Sequence, residues 1–400
     1  MVGTAVVVVP REEHPAADVC ASVRVAGLSL VLRAALTARF AGVERIAVAA
    51  SPEQWARLRG EIEGDPRLVG RVVWMDPERP FPMDAGRCVV LLPEDVLTAP
   101  ALRGWLERLP EAGGMVGPSV GGVGPLAVSA DRLSRLVAAA REGADAVEAA
   151  WRADAGARIV LPWDGLGPLR VRSASDVPAT ERAMLRALRT PEDGPIVDRF
   201  VNRALSGPLT RLLVRTPITP NHLTLISLGL GLVAAVVLAQ GGRALSLLAL
   251  LLFQASVVLD HSDGEVARLR FEFTPFGKWL DNYCDHAVDL AMIGGAAWQT
   301  AGYMGWGHGI AFSLLAALGV TGSFLVVFVW TLRGGSIAAA PSAQGAARRL
   351  MAMANRDGFS LILWGTVLLG QPAWLLWILA VGANAYWVAW LVLCGRPRRA

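Results

Sequence analysis

From about residue 222 to residue 394 the chain is a succession of apolar runs, each near the roughly 20 residues a helix needs to cross a bilayer. Six can be marked, at approximately 222–241, 244–267, 276–299, 309–332, 358–371 and 373–394. The fifth is short and needs backward extension or tilt to span. Runs of this length leave little choice but membrane helices. They are also asymmetric in charge. The long link 333–357 and the tail RPRRA carry Arg333, Arg348, Arg349, Arg356, Arg396, Arg398 and Arg399, whereas the opposite links GGR, AGYMGWGHG and GQP carry little. The positive-inside rule then puts both termini, the 268–275 turn and the 333–357 link in the cytoplasm, as an even span number requires. Trp306, Trp374 and Trp377 fall where interfacial belt residues belong.

Residues 1–190 read differently. The whole chain is 54% hydrophobic and 18% charged, too apolar for an average soluble protein, yet before residue 190 the apolar runs are short and alternate with charged, Pro- and Gly-containing stretches. TAVVVVP, RIAVAAS (45–51), RVVWMD (71–76) and RCVVLLP (87–93) have the pattern of buried strands. Segments 27–42, 101–109, 130–143 and 178–189 have helical spacing. Strand–helix alternation predicts an α/β domain around a largely parallel sheet. MVGTAVVVVPREEHP has no basic stretch ahead of its short apolar run and reads as a first strand, not a signal peptide. The expected organisation is a soluble α/β domain at 1–190, an amphipathic juxtamembrane helix and linker at 191–220, and an all-α six-helix transmembrane domain at 221–400. In the middle segment, Arg199, Arg203, Arg211 and Arg215 line one side of an otherwise apolar helix. That suits an anionic membrane surface, with an ordinary docking helix as the alternative.

Several classes are set aside. The formal net charge of +4 is modest, and no basic patch interleaved with aromatics points to nucleic acid. Cys20, Cys88, Cys284 and Cys394 are scattered without a CxxC pair, which suggests neither a zinc site nor a disulfide framework.

The exception to the apolar pattern carries the chemistry. In DHSDGEVARLRFEFTPFGKWLDNYCD, residues 260–285, Asp260 and Asp263 are three apart and share one helix face. Asp281 and Asp285 are four apart and share another. Pro275 breaks the chain between them. A short turn would bring the two faces together, with Gly264, Ala267 and Gly277 expected to allow close approach. Four acids there repel one another, and Arg268 alone cannot neutralise them. Charges at a membrane boundary are costly and usually functional. Oxygen-only ligands suit a hard divalent ion, Mg²⁺ or Mn²⁺, which commonly binds through a few carboxylates and substrate phosphates.

The spacing Asp260-x2-Asp263-Gly264-x2-Ala267-Arg268-x8-Gly277-x3-Asp281-x3-Asp285 resembles, at all eight fixed positions, the signature of the CDP-alcohol phosphotransferases. The resemblance implies six transmembrane helices, a cytoplasm-facing site in the cell membrane, a homodimer, and transfer of a phosphoryl-alcohol group from a CDP-alcohol to a hydroxyl acceptor with release of CMP. It implies that Asp260, Asp263 and Asp281 hold metal with Asp285 helping or close by, and that Asp285 is the general base. It assigns Gly264, Ala267 and Gly277 to the cytidine pocket and Arg268 to the nucleotide. TPITPNHLT, 216–224, resembles the segment that opens the family's first span. Asn221 and Thr224 would then approach the nucleotide, against the alternative that they only start a helix. Arg356, in NRDGF at 355–359, is a candidate for an acceptor phosphate, with Arg348 or Arg349 as further candidates for which a simple topogenic role is the alternative. Asp289 lies outside the signature, one turn past Asp285. His261 and His286 adjoin motif acids but point about 100° away from them, and are taken as non-ligands.

Two further readings attach to the whole chain. VAGLSLVLRAALTARFAGVERIAVAAS and LLPEDVL, with Asp95 as its candidate metal residue, resemble sugar-nucleotide and MobA-like nucleotidyltransferases. The domain order resembles bifunctional inositol-phosphate cytidylyltransferase / di-inositol-phosphate-phosphate synthase enzymes. Against an active cytidylyltransferase, PREEHPAADVCASVR lacks the glycines of a triphosphate loop and carries Glu12 and Glu13. The expectation is a degenerate nucleotidyltransferase-like domain joined to an enzyme that uses inositol phosphate or another polar alcohol. The alternatives are a phospholipid synthase using CDP-diacylglycerol, a bifunctional enzyme that also makes its CDP-alcohol and, outside enzymes, an ion-binding transporter.

Overall fold

The computed structural model describes residues 2–78, 86–110, 115–118, 124–154, 158–188, 201–332 and 356–394. The chain divides into two compact units, Met1–Arg189 and Thr190–Ala400.

The first unit begins with β1 (Thr4–Val8), α1 (Pro15–Ser22), a short hairpin of β2 (Arg24–Val25) and β3 (Leu28–Ser29), α2 (Leu30–Phe40), β4 (Arg45–Ala49), α3 (Pro52–Glu63) and β5 (Val72–Met75). It continues through β6 (Cys88–Leu91), β7 (Asp95–Val96), α4 (Ala99–Glu107), β8 (Met115–Gly117), β9 (Leu126–Val128), α5 (Ala130–Arg141), α6 (Ala144–Ala153), β10 (Arg158–Val160), β11 (Leu169–Arg170) and α7 (Val177–Ala187). Seven strands form one sheet in the order β10-β8-β9-β6-β1-β4-β5. β1, β4, β5 and β6 run parallel, and only β9 is antiparallel to its neighbours. Residues Ala5–Val8 are fully buried, as the uninterrupted Val run of a strand covered on both faces requires. One layer of the core is Val6, Val8, Ala47 and Val90 against Leu133, Leu136 and Trp151 of α5 and α6. The stretch after β1, which lacks the glycines of a triphosphate loop, contains helix α1. His14 caps it by accepting from the Ala16 N–H at 3.1 Å, and Pro15 fits its first position.

In the second unit, α8 (Arg203–Leu213) precedes α9 (Pro220–Ala239), α10 (Arg243–Arg270), α11 (Pro275–Met304), α12 (Trp306–Leu332), α13 (Arg356–Leu368) and α14 (Ala373–Cys394). The boundaries are encoded locally. Thr219 and Thr274 accept from the backbone N–H groups of His222 and Gly277, and each is followed by proline at the first helical position. Gly241 and Gly242, both at positive φ, turn the chain between α9 and α10. Phe271 ends α10 in the left-handed conformation.

Among the described residues, four helices are long and apolar enough to cross a membrane: α9, α10, Gly309–Trp330 of α12 and Ala373–Val392 of α14. Of the six expected spans, the other two differ. α13 is apolar but has only 13 residues. α11 has 30 and carries Lys278, Asp281, Asp285 and Asp289 in its first half. Leu225, Val236, Leu314, Leu318, Val381 and Val388 are exposed on α9, α12 and α14, an outward apolar surface too extensive for a water-soluble bundle.

The helices carrying the acids do not pack tightly on each other. α9 packs closely against both α10 and α11, which touch each other far less. The close approach is between α9 and α11. A Cβ on Gly231 would lie 2.6 Å from the Val288 methyls, and one on Gly295 would lie 2.4 Å from the Ala235 carbonyl oxygen. The small residues expected to seat α10 on α11 do something else: the nearest neighbour a Cβ on Gly264 would meet is the Arg268 guanidinium of the same helix, at 3.4 Å. Space is therefore kept between α10 and α11 at their adjoining ends.

Candidate active site

Asp260 and Asp263 sit near the carboxy-terminal end of α10, and Asp281 and Asp285 on the second and third turns of α11. One carboxylate oxygen from each of Asp260, Asp281 and Asp285 lies within 4.8 Å of the others, and all three residues are half-buried. Asp263 is not a member of that group. It is buried and accepts a hydrogen bond from the Thr224 hydroxyl, with Asp260 and Asp281 as its charged neighbours. Three acids at this separation, offering oxygen alone, fit a hard divalent cation, whose charge would offset their repulsion.

The remaining sequence candidates distribute around this group. Thr224 faces Asp263 and also donates to the Pro220 carbonyl at 3.1 Å, so its partner in the structure is an acid of the motif. Asn221 lies against Gly277, whose added Cβ would come within 3.0 Å of the Asn221 Oδ1. Glycine at 277 therefore lets the first turn of α9 meet the first turn of α11. Ala267 is half-buried and accepts, through its carbonyl, the Glu272 N–H at 2.8 Å. Arg268 is exposed and folds back beside Gly264. Arg356 is the first residue of α13, but its side chain lies outside the described residues, as do Arg348 and Arg349. His261 contacts the Val257 carbonyl of its own helix at 2.8 Å. His286 contacts Thr321 at 3.2 Å and stacks on Phe324. Neither histidine belongs to the acid group. The Oδ1 of Asp289 is buried without a hydrogen-bond partner among the described residues.

Sequence reasoning missed the side chains that hold this frame. Glu265, buried, accepts from Ser206 at 3.2 Å and from Thr210 at 2.6 Å. Gln254 donates to Asn202 and accepts from Trp364 of α13 at 2.9 Å. Arg270 donates to the carbonyls of Thr216 at 3.2 Å and Ile218 at 3.0 Å and pairs with Glu272 at 2.9 Å. Asn202, Ser206 and Thr210, at intervals of four, form a buried polar stripe, while Leu205 and Leu212 are exposed. The segment is thus amphipathic in the inverted sense, polar inward and apolar outward. A helix docked in water would have it the other way. The interval of four between Asn202, Ser206 and Thr210 was the available signal, overshadowed by the arginines on the same segment.

In the first unit, Asp95 is almost fully buried and both its oxygens are engaged. Arg170 donates to them at 2.7 and 2.9 Å, and the Gly124 N–H donates at 2.8 Å. Beside it, burial and the Asp95 charge push Glu94 up to about 7. Burial, then the neighbouring Glu94, pushes the Cys20 thiol well above its ordinary value.

A family model described as CDP-alcohol phosphatidyltransferase matches residues 217–394. A bifunctional IPC transferase and DIPP synthase from Thermococcus kodakarensis is 33% identical over 158 residues, covering 39% of this chain and 34% of the relative. A phosphatidylinositol phosphate synthase from Corynebacterium glutamicum is 36% identical over 91 residues, covering 23% and 41%. The chain thus spans about a third of the length of the bifunctional relative. The crystal structure of Mycobacterium tuberculosis phosphatidylinositol phosphate synthase with CDP-DAG bound aligns at 21% identity over 49% of this chain and 96% of that one, with a TM-score of 0.37.

Proposed function

We propose, from the premise that residues 217–394 form a CDP-alcohol phosphatidyltransferase domain, that the protein is an integral membrane transferase. It moves a phosphoryl-alcohol group from a CDP-alcohol to the hydroxyl of a polar alcohol such as inositol phosphate, and releases CMP. The observation that carries this reading is the convergence of Asp260, Asp281 and Asp285 across the gap between α10 and α11. In this proposal Asp260, Asp263, Asp281 and Asp285 hold Mg²⁺ or Mn²⁺ against the diphosphate. The bound ion supplies charge neutralisation at the diphosphate and at the departing CMP.

The chain's own residues do the rest. Asp285 takes the proton of the acceptor hydroxyl. The acceptor oxygen bonds to the phosphorus bearing the donor alcohol as the bond from that phosphorus to the CMP oxygen breaks. Arg268 lies along the nucleotide. Gly264, Ala267 and Gly277 leave its pocket open, and Asn221 and Thr224 form the adjacent wall. Arg356 receives an acceptor phosphate. The six helices α9 to α14 span the cell membrane, with the acids on the cytoplasmic side, membrane lipids around α8, and two copies forming a homodimer.

The first unit is read as a degenerate nucleotidyltransferase-like domain. What supports this is Asp95: Arg170 and the Gly124 N–H already take up the carboxylate that an active domain would offer to metal. Full-length protein given CTP and inositol phosphate should release no pyrophosphate. Release would favour the bifunctional alternative.

The deciding experiment is a donor and acceptor screen on purified full-length protein with Mg²⁺ and Mn²⁺, read by CMP release and product mass. Turnover of CDP-diacylglycerol in place of a polar CDP-alcohol would convert the reading to phospholipid synthesis. Absence of CMP release with every donor, alongside metal-driven transport, would overturn it.

A further inference from the structure

Because α10 and α11 barely touch, the distance between Asp260 and the pair Asp281/Asp285 is not set by packing of one helix on the other. It depends on what fixes the rotation of α10 from its other sides. On one side α9 does so, through Thr224 to Asp263 and through the paired Ser227–Ser256 contacts at 2.9 and 3.0 Å. On the other side is α8. Its stripe Asn202, Ser206 and Thr210 meets Gln254 and Glu265, which stand eleven residues, about three turns, apart on one face of α10. Glu265 lies on the turn that carries Asp263, Gly264 and Arg268, and both its oxygens accept from α8 hydroxyls. Nothing in the eight-position signature calls for an acid there.

We propose that Glu265 is a positioning residue: its hydrogen bonds to Ser206 and Thr210 fix the rotation of the last turns of α10, and so the reach of Asp260 and Asp263 toward Asp281 and Asp285. This rests on the metal-centre reading above. A carboxylate about 5 Å off a helix axis moves roughly 1 Å for a 10° rotation, more than the roughly 0.5 Å tolerance of a metal or catalytic site. A buried acid bonded to two hydroxyls resists such rotation because turning it away would leave its oxygens buried without donors.

The test is Mn²⁺ binding to full-length detergent-purified protein, followed by electron paramagnetic resonance, which needs no turnover. Glu265→Leu and Thr210→Val should each weaken Mn²⁺ affinity, the former on the order of 10-fold. The double variant should be no weaker than Glu265→Leu alone, since both remove one contact. Thr210→Val changes no charge and little volume, so it keeps the question open to test if Glu265→Leu fails to fold, and simple electrostatics would leave it at wild-type affinity. Asn202→Ala, at the far end of the stripe, should lower the melting temperature and leave Mn²⁺ affinity unchanged. Unaltered affinity in Thr210→Val, additive losses in the double variant, or an equal loss in Asn202→Ala would each overturn the positioning role. If the wild-type protein bound no Mn²⁺, the metal-centre reading itself would fall, a result distinct from all of these.

Discussion

The Thr224 hydroxyl donates to the Asp263 carboxylate, so the opening turn of α9 is held against the second acid of the α10 motif. Thr224 is buried, and the bond crosses 39 residues of sequence. In a spanning helix a threonine could have satisfied its hydroxyl on its own backbone, as it also does at Pro220. Its contact with Asp263 instead orients one carboxylate oxygen of the motif.

Thr224→Val keeps the shape of the side chain and removes that donor. The expected result is a rise in the metal concentration needed for half-maximal CMP release, on the order of 10-fold as for other residues that orient ligands, with Thr224→Ser close to wild type. A metal titration of each variant checks it. Equal behaviour of Val and Ser would mean that the hydroxyl orients nothing.

Asp285 and Asp281 are one turn apart on α11 and both face the proposed metal, yet the proposed chemistry gives Asp285 the further task of taking the acceptor proton. Asp281→Asn should be partly restored by saturating Mn²⁺, because it weakens binding of the ion. Asp285→Asn should lose about 100-fold or more in kcat and stay low at any metal concentration, because no proton acceptor remains. Full turnover in Asp285→Asn at high metal would remove the general-base assignment.

The acids were legible in the sequence because their spacing is a property of single helices: three and four residues apart is one face, whatever surrounds it. How the two faces meet was not legible. The expected direct seating of α10 on α11 is a through-space relation, and the glycines that make the close contacts, Gly231 of α9 against Val288 and Gly295 of α11 against Ala235, pair with partners far away in sequence. The strands β1, β4, β5 and β6 were readable from continuous apolar runs, whereas β8, β9 and β10 have three residues each and too little pattern to read. For α8 the arginine-rich and apolar sides were legible, but the buried polar stripe was not; the burial of Ser206 and Thr210 follows from the Glu265 carboxylate on the neighbouring helix, which local spacing does not reveal.

Arg270 ties the end of α10 to the turn before α9, through the carbonyls of Thr216 and Ile218. Arg270→Ala removes both bonds and the Glu272 partner. A loss of about 1.5–3 kcal/mol is expected, as for hydrogen bonds to a charged group, visible as a lower melting temperature in detergent. Arg270→Lys should recover only part of it, since one ammonium cannot reproduce the planar fork. Full recovery by lysine would show that charge alone, not the two-carbonyl geometry, holds the turn.

The Glu94 carboxyl gives the first unit a pH dependence whose sign can be worked out. Burial and the Asp95 charge raise it in the folded state to about 7, against an ordinary value of 4.5. Between those values the folded unit holds a proton that the unfolded chain has released. Its contribution is therefore fully present below pH 4.5 and is lost as pH rises toward and through 7. Glu94→Gln removes this ionisation while keeping an acceptor for Cys20. The variant should be more stable than the wild type at pH 8, by about 1–3 kcal/mol given roughly 1.4 kcal/mol per unit, and the advantage should shrink toward pH 5. Hydrogen exchange of the 1–189 amides in the full-length protein, compared between variant and wild type at each pH, reads the difference directly. A constant difference across that range would mean that Glu94 does not ionise there, and that the Cys20–Glu94 contact owes its stability to packing alone.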